Sequence, residues 1–123
     1  MTVYVDDMYK YPMGEFRGMK MSHMIATDEE ELHRMADTIG VRRKWYQGDH
    51  YDISLGMRVK AIEAGAVSIG LRDLSSMVMV HKATGKWVKP GVAQDTAYDL
   101  LTKKRLNRGS PGREREYRPK KAT

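Results

Sequence analysis

Two histidines and three aspartates concentrate the reactive chemistry of this chain: Asp6, His23 and the run QGDHYDIS at residues 47–54, which holds Asp49, His50 and Asp52. Imidazole and carboxylate together bind borderline divalent ions and leave positions open for water and a phosphate oxygen. Without a metal, a histidine held by an aspartate can serve as general base or acid near neutral pH. His50 and Asp52 alternate, so in an extended loop both point the same way. On this reading His23, His50 and Asp52 are the working groups, and Asp6, His50 and Asp52 are the metal-ligand candidates, with Asp6 either binding the ion or orienting a histidine. A plainer role competes at Asp52 and Ser54, since either could cap the helix that follows.

Composition narrows the chemistry further. There is no cysteine among the 123 residues, which excludes disulfides, thiolate nucleophiles and thiolate-bound zinc. Any metal must therefore be held by His, Asp or Glu. The net charge is +6, but residues 103–123 carry nine basic residues against two glutamates, while the rest of the chain has 13 basic and 14 acidic. Basicity belongs to the C-terminal tail, which could neutralise phosphates without reading sequence or simply remain solvated. No apolar run is long enough to span a bilayer and the first residues lack the order of a signal peptide, so a soluble, cytoplasmic protein without membrane contact is expected.

The elements that must position these groups can be read from periodicity. TVYVDD, residues 2–7, reads as a strand ending on Asp6 and Asp7. Residues 8–22 have no clean period and read as a loop lying on the body of the domain. TDEE from Thr27 fits a capping box, and Leu32, Met35, Ala36 and Ile39 give a helix over about 28–39 that Gly40 stops. VRRKWYQ, 41–47, reads as a second strand. Leu55, Val59 and Ile62 predict a helix ending at Gly65, AVSIG (66–70) a buried strand, and SSMVMVHKA a helix ending near Gly85.

This order implies an α/β fold: a small three-layer-like domain with a short, mainly parallel sheet of about three strands flanked by helices. The domain spans 1–90, a helix follows over 91–106, and 107–123 is a basic tail expected to be disordered. In such sheets ligands bind beyond the carboxyl ends of the strands. Asp6 and Asp7, then Gln47, Asp49, His50 and Asp52, then Gly70, Arg72 and Asp73 would gather there, with His23 in the connection leaving the first strand. His33, with Asp37 four residues on, reads as a helix-surface pair. Arg58, one turn into the second helix, could hold a phosphate by bidentate hydrogen bonds.

The segments VYVDD, SHM, EELH, WYQ, HYD and RVKAIEAGAV, over roughly residues 2–70, resemble domain of unknown function 4031, a family of short bacterial and phage proteins. The resemblance implies a phage or prophage setting and a polar signature of Asp6, His23, Asp28, His33, Gln47, His50, Tyr51, Asp52 and Arg58. It thereby adds Gln47 and His33 to Arg58 as ligand-binding candidates. It carries no substrate and no cofactor. The expected activity is a phosphoester hydrolase acting on nucleic acid or a nucleotide, with a divalent metal as the implied cofactor. The alternative is a non-catalytic phage accessory protein that binds a nucleotide-like ligand, nucleic acid or a host protein; a third is an assembly role for the methionine-rich stretch 8–22.

Overall fold

The computed structural model describes residues 2–108. Strand β1 (Val3–Val5) buries Val3 and Val5 and turns Tyr4 to the other face, the alternation a pleated strand imposes. The stretch 8–22 is more ordered than its composition suggests. It makes two 3-10 turns, Met8–Lys10 and Pro12–Gly14, and then a hairpin of β2 (Glu15–Phe16) and β3 (Met19–Ala26). Gly14 is buried where the turns close on each other, and a Cβ there would overlap the Met8 carbonyl oxygen.

Helix α1 (Glu29–Ile39) lies where the periodicity puts it, but its cap is Asp28, whose carboxylate accepts from the Glu31 amide at 3.2 Å. Three glutamates occupy its first turn, at the positive end of its dipole. Gly40 ends it at φ 89°, a left-handed conformation that residues with a Cβ rarely adopt. The expected strand over 41–47 is instead a 3-10 turn at Arg43–Trp45, because Arg42, Arg43 and Lys44 leave no apolar face to bury and Trp45 stays exposed. The strand lies further on, in the second half of QGDHYDIS: β4 (Tyr51–Ser54) buries Tyr51 and Ile53 completely. Ser54 caps α2 (Leu55–Glu63) by accepting from the Met57 amide at 3.3 Å, so Asp52 is released from that duty. Then come β5 (Val67–Ser68), α3 (Leu71–Thr84) and α4 (Pro90–Arg108). The basic tail falls largely outside the described residues.

The α/β class stands, with two corrections to the sheet. Among the described residues it has five strands rather than three, and its pairing is mostly antiparallel: β3 pairs antiparallel with β1, β2 and β4, and β1 pairs parallel with β5. Chain reversal through the turns after β1 brings β3 back beside it without a crossover helix, which is the route to antiparallel pairing. Side chains from β1, β3 and β4 pack with Leu32, Ala36 and Ile39 of α1 and Ala61 of α2 on one face. On the other face Tyr4 and Ile25 meet Leu74 and Met77 of α3 and Ala93 of α4. The sheet is thus the middle of three layers. No helix among the described residues is long and apolar enough to cross a membrane.

Arg58 ties these layers together. It is 7% exposed, and its Nε donates to the Asp6 carbonyl at 2.7 Å while a terminal nitrogen donates to Ser68 Oγ at 2.6 Å, with the guanidinium 4.9 Å from the centre of the Tyr9 ring. Removing it leaves a buried carbonyl without its donor. Arg58→Ala is expected to lower unfolding stability by about 2–3 kcal/mol, read from the midpoint of a urea transition. A midpoint equal to wild type would show that the tie carries no stability.

Candidate metal centre

The site is built by strand register. Val5 lies opposite Met24 in the β1–β3 ladder, and the next residue continues it, with the Asp6 amide donating to the His23 carbonyl at 3.1 Å. On the other side of β3, His23 lies directly opposite Asp52 of β4. Asp6, His23 and Asp52 therefore form one row across three neighbouring strands. By alternation they share the sheet face of Tyr4 and Ile25, the face packed by α3 and α4. His50 stands two residues before Asp52 and projects the same way. Its carbonyl accepts from the Gln47 amide at 2.9 Å, closing a turn that Gly48 permits at φ 96°.

Each histidine is oriented by its own carboxylate. Asp6, fully buried, accepts from His23 Nδ1 at 2.7 Å through one oxygen and from the amides of His23 (2.9 Å) and Met8 (3.1 Å) through the other. Asp49 accepts from His50 Nδ1 at 2.6 Å and lies 3.5 Å from Lys82 Nζ on its other oxygen. Ionised carboxylates only accept, so in the neutral rings the proton sits on Nδ1 and the Nε2 lone pair is free. Both Nε2 atoms face the same oxygen: Asp52 Oδ1 is 3.8 Å from His23 Nε2 and 3.5 Å from His50 Nε2. Those distances are too long for sound hydrogen bonds, and this oxygen is shielded from solvent without a partner. Gln47 Nε2 holds the other oxygen of Asp52 at 2.7 Å.

One donor atom from each of His23, His50 and Asp52 lies within 4.8 Å of the others. Two ligands on one ion, with bonds of about 2.1 Å, are at most about 4.2 Å apart, a limit that both carboxylate–imidazole pairs already meet. Two imidazole nitrogens and one carboxylate oxygen, each backed by an outer hydrogen bond, suit a borderline divalent ion with coordination positions left over. A buried acceptor with no donor is the feature such an ion would explain.

Electrostatics follow the same pairing. The Asp6 hydrogen bond raises the His23 pKa above its ordinary 6.5; burial opposes this, and the charges of Asp6, Asp52 and Asp49 reinforce it. Burial pushes Asp49 up, but the hydrogen bond and charge of His50 and the charge of Lys82 outweigh it and hold the carboxyl below its usual value.

The model of a family described as protein of unknown function (DUF4031) matches residues 3–81. The chain belongs to this family. No curated protein and no solved structure matches it. The DUF4031 span contains the whole cluster with Asp6, Gln47 and Asp49, and ends one residue before Lys82.

Within the DUF4031 chain the residues singled out by sequence divide into two groups. His23, His50 and Asp52 come together, Gln47 holds Asp52, and Asp6 orients His23 rather than standing among the converging donors. His33 and Arg58 do not join them. His33 is buried rather than on the helix surface: its Nδ1 is 2.8 Å from the Tyr51 hydroxyl and its Nε2 3.3 Å from Glu29, not Asp37. The guanidinium of Arg58 is committed to the interior. Asp7, also a candidate, accepts from the Leu71 amide at 2.8 Å and pins the start of α3. Of the two supporting residues, Asp49 stands among those expected to gather here but without a role, and Lys82 has no local signal in the sequence at all.

The His23 shift gives a direct test on the metal-free protein. Its imidazole should titrate above 6.5 by NMR, and Asp6→Asn should bring the value down by removing the largest cause. Because the folded value is raised, the stability linked to this proton is full below about 6.5 and is lost as pH climbs through the folded pKa. A His23 titration at or below 6.5 in the wild type would remove the assigned role of Asp6.

Proposed function

We propose that this DUF4031 protein is a metal-dependent phosphoester hydrolase, with His23 Nε2, His50 Nε2 and Asp52 Oδ1 as the ligands of one divalent ion. The observation that carries the reading is the unpartnered, shielded Asp52 Oδ1 faced by two imidazole nitrogens whose other nitrogens are tied to carboxylates. A divalent ion at such a donor set supplies a water of lowered pKa and polarises a phosphoryl oxygen. The chain's own residues do the rest. Asp6 and Asp49 keep both rings in the tautomer that presents a lone pair, and Gln47 fixes the rotation of the Asp52 carboxylate. Lys82 supplies a cation at the edge of the site, and the basic residues of 103–123, which account for the net positive charge, favour an anionic substrate. A nucleotide or nucleic acid is the substrate class this combination favours.

Metal titration checks the proposal before any substrate is known. Wild-type protein should bind one equivalent of Zn²⁺, Mn²⁺ or Co²⁺ by calorimetry, and His50→Ala or Asp52→Ala should abolish stoichiometric binding. Asp49→Asn removes no ligand atom but should weaken affinity about 10–100-fold, the usual effect of losing an outer partner of a ligating histidine. Hydrolysis of an activated phosphodiester should require the ion and disappear in His50→Ala. Absence of a bound ion, or equal turnover in wild type and His50→Ala, would overturn the reading. Tight retention of an unchanged nucleotide without turnover would replace the hydrolase with a binding protein.

A further inference from the structure

Beside the proposed centre lies a slot of about 150 Å³ lined by Ala26, Glu29, Leu32, Tyr46, Gly48, Asp49, His81 and Trp87. Asp49 belongs to both places, since the carboxylate that orients His50 also walls the slot. The lining is of two kinds. His81 and Trp87 stack on each other with centroids 4.1 Å apart and planes 10° from parallel, and both rings border the slot. Ala26 and Leu32 are buried and apolar, and Tyr46 adds a second ring. The charged groups in the lining that face a ligand as acceptors are carboxylates, Glu29 and Asp49. Both oxygens of Asp49 are already engaged, whereas the Glu29 side chain is two-thirds exposed, lies 3.3 Å from His33 Nε2 and also interacts with the Tyr46 hydroxyl.

We propose that this slot is the recognition subsite of the metal centre and takes one planar heteroaromatic ring bearing N–H donors, namely the base of a nucleotide substrate. The inference rests on the hydrolase reading for its substrate and on the slot alone for its ring. Three features select the ligand. A volume near 150 Å³ holds a single aromatic ring system, since a cavity of about that size admits benzene, and it is too small for a whole nucleotide. A lining rich in aromatic rings (Tyr46, His81, Trp87) favours a planar aromatic partner, and base–aromatic stacking tolerates any base. Glu29, an acceptor without a donor function, favours ring or exocyclic N–H groups over carbonyls. The phosphate then lies outside the slot, on the side of Asp49 where His50 and Lys82 stand.

The larger opening of the molecule lacks these features. That cleft, of about 600 Å³, lies between Tyr11, Pro12 and Met13 and Leu71, Arg72 and Ser75, and none of the three converging residues lines it.

The test uses the two tryptophans. Trp45 is exposed, so Trp45→Phe leaves Trp87 as the remaining emitter with little risk to the fold. In that background, with no metal added, adenosine should quench the emission saturably and ribose should not. Glu29→Gln, at an exposed first-turn position, should weaken adenosine at least fivefold while leaving the circular dichroism spectrum unchanged. With metal present, adenosine 5′-monophosphate should bind at least tenfold tighter than ribose 5-phosphate. Equal quenching by ribose, no quenching by adenosine, or no preference between the two phosphates overturns the subsite. His50→Ala separates the two readings: it should lose metal but keep the adenosine response. A protein that never binds metal yet shows that response sinks the metal centre and leaves the ring slot standing.

Discussion

A carboxylate shut away from water must find donors for its lone pairs, and Asp6 finds three: the Met8 and His23 amides and His23 Nδ1. That requirement organises the centre of the molecule. The Met8 amide commits the chain to turn immediately after β1, and the His23 amide fixes β3 in register beside it. The imidazole contact then aims Nε2 across the sheet. The backbone carbonyl of the same residue takes the Arg58 guanidinium, which also reaches Ser68, so the end of β1 is bound to β5 and α2 as well. One buried residue thus sets a turn, a register and a tautomer through its carboxylate and a tie between layers through its carbonyl.

Register turns this local constraint into a site. Since His23 is opposite Asp52 and one step beyond the Val5–Met24 pair, its two neighbours in the row are both carboxylates. They play unequal parts: Asp6 is saturated with donors, whereas Asp52 has one oxygen held by Gln47 and the other left facing two imidazoles. A slip of one residue in β4 would turn Asp52 to the opposite face, where Tyr51 and Ile53 now fill the core. The apolar side of β4 therefore enforces the polar side. Lys82 of α3 completes the arrangement from the helical layer, holding Asp49 as Asp49 holds His50.

The DUF4031 match stops at His81, within α3, and so includes the sheet, the cluster and the carboxylates that support it. Lys82, Trp87 and α4 lie past the matched span. Trp87 stacks on His81 at the slot, and Ala93 of α4 closes the core over Ile25 and Leu74. The proposed centre and its proposed ring subsite share Asp49, and the subsite takes all its lining from the matched span except Trp87.

Helices were legible because their determinants are local. Leu32, Ala36 and Ile39 mark the buried stripe of α1, and Gly40 its end, whatever the rest of the chain does. Leu55–Glu63 and Leu71–Thr84 also lie where their glycines imply, although Leu55, Val59 and Ile62, whose spacing marks the first of them, are exposed and α2 buries Arg58 and Ala61 instead. Strand identity was half legible: the alternation of Tyr51 and Ile53 with Asp52 and Ser54 is a strand pattern, but the polar run Gln47–Asp52 fits a loop equally well. Pairing was not legible, because strand partners far apart in the chain, such as Tyr4 with Val67 and His23 with Asp52, leave no periodic trace, and β–α order alone fits parallel and antiparallel sheets. By itself the sequence determined the donor types, the absence of thiolate, the helices and the parity that sends His50 and Asp52 the same way. Only the tertiary structure decided that His23 lies between Asp6 and Asp52, that His33 and Arg58 turn inward, and that Lys82 reaches Asp49. These are relations between strands and layers, set by which register buries the apolar faces and satisfies the buried carboxylate.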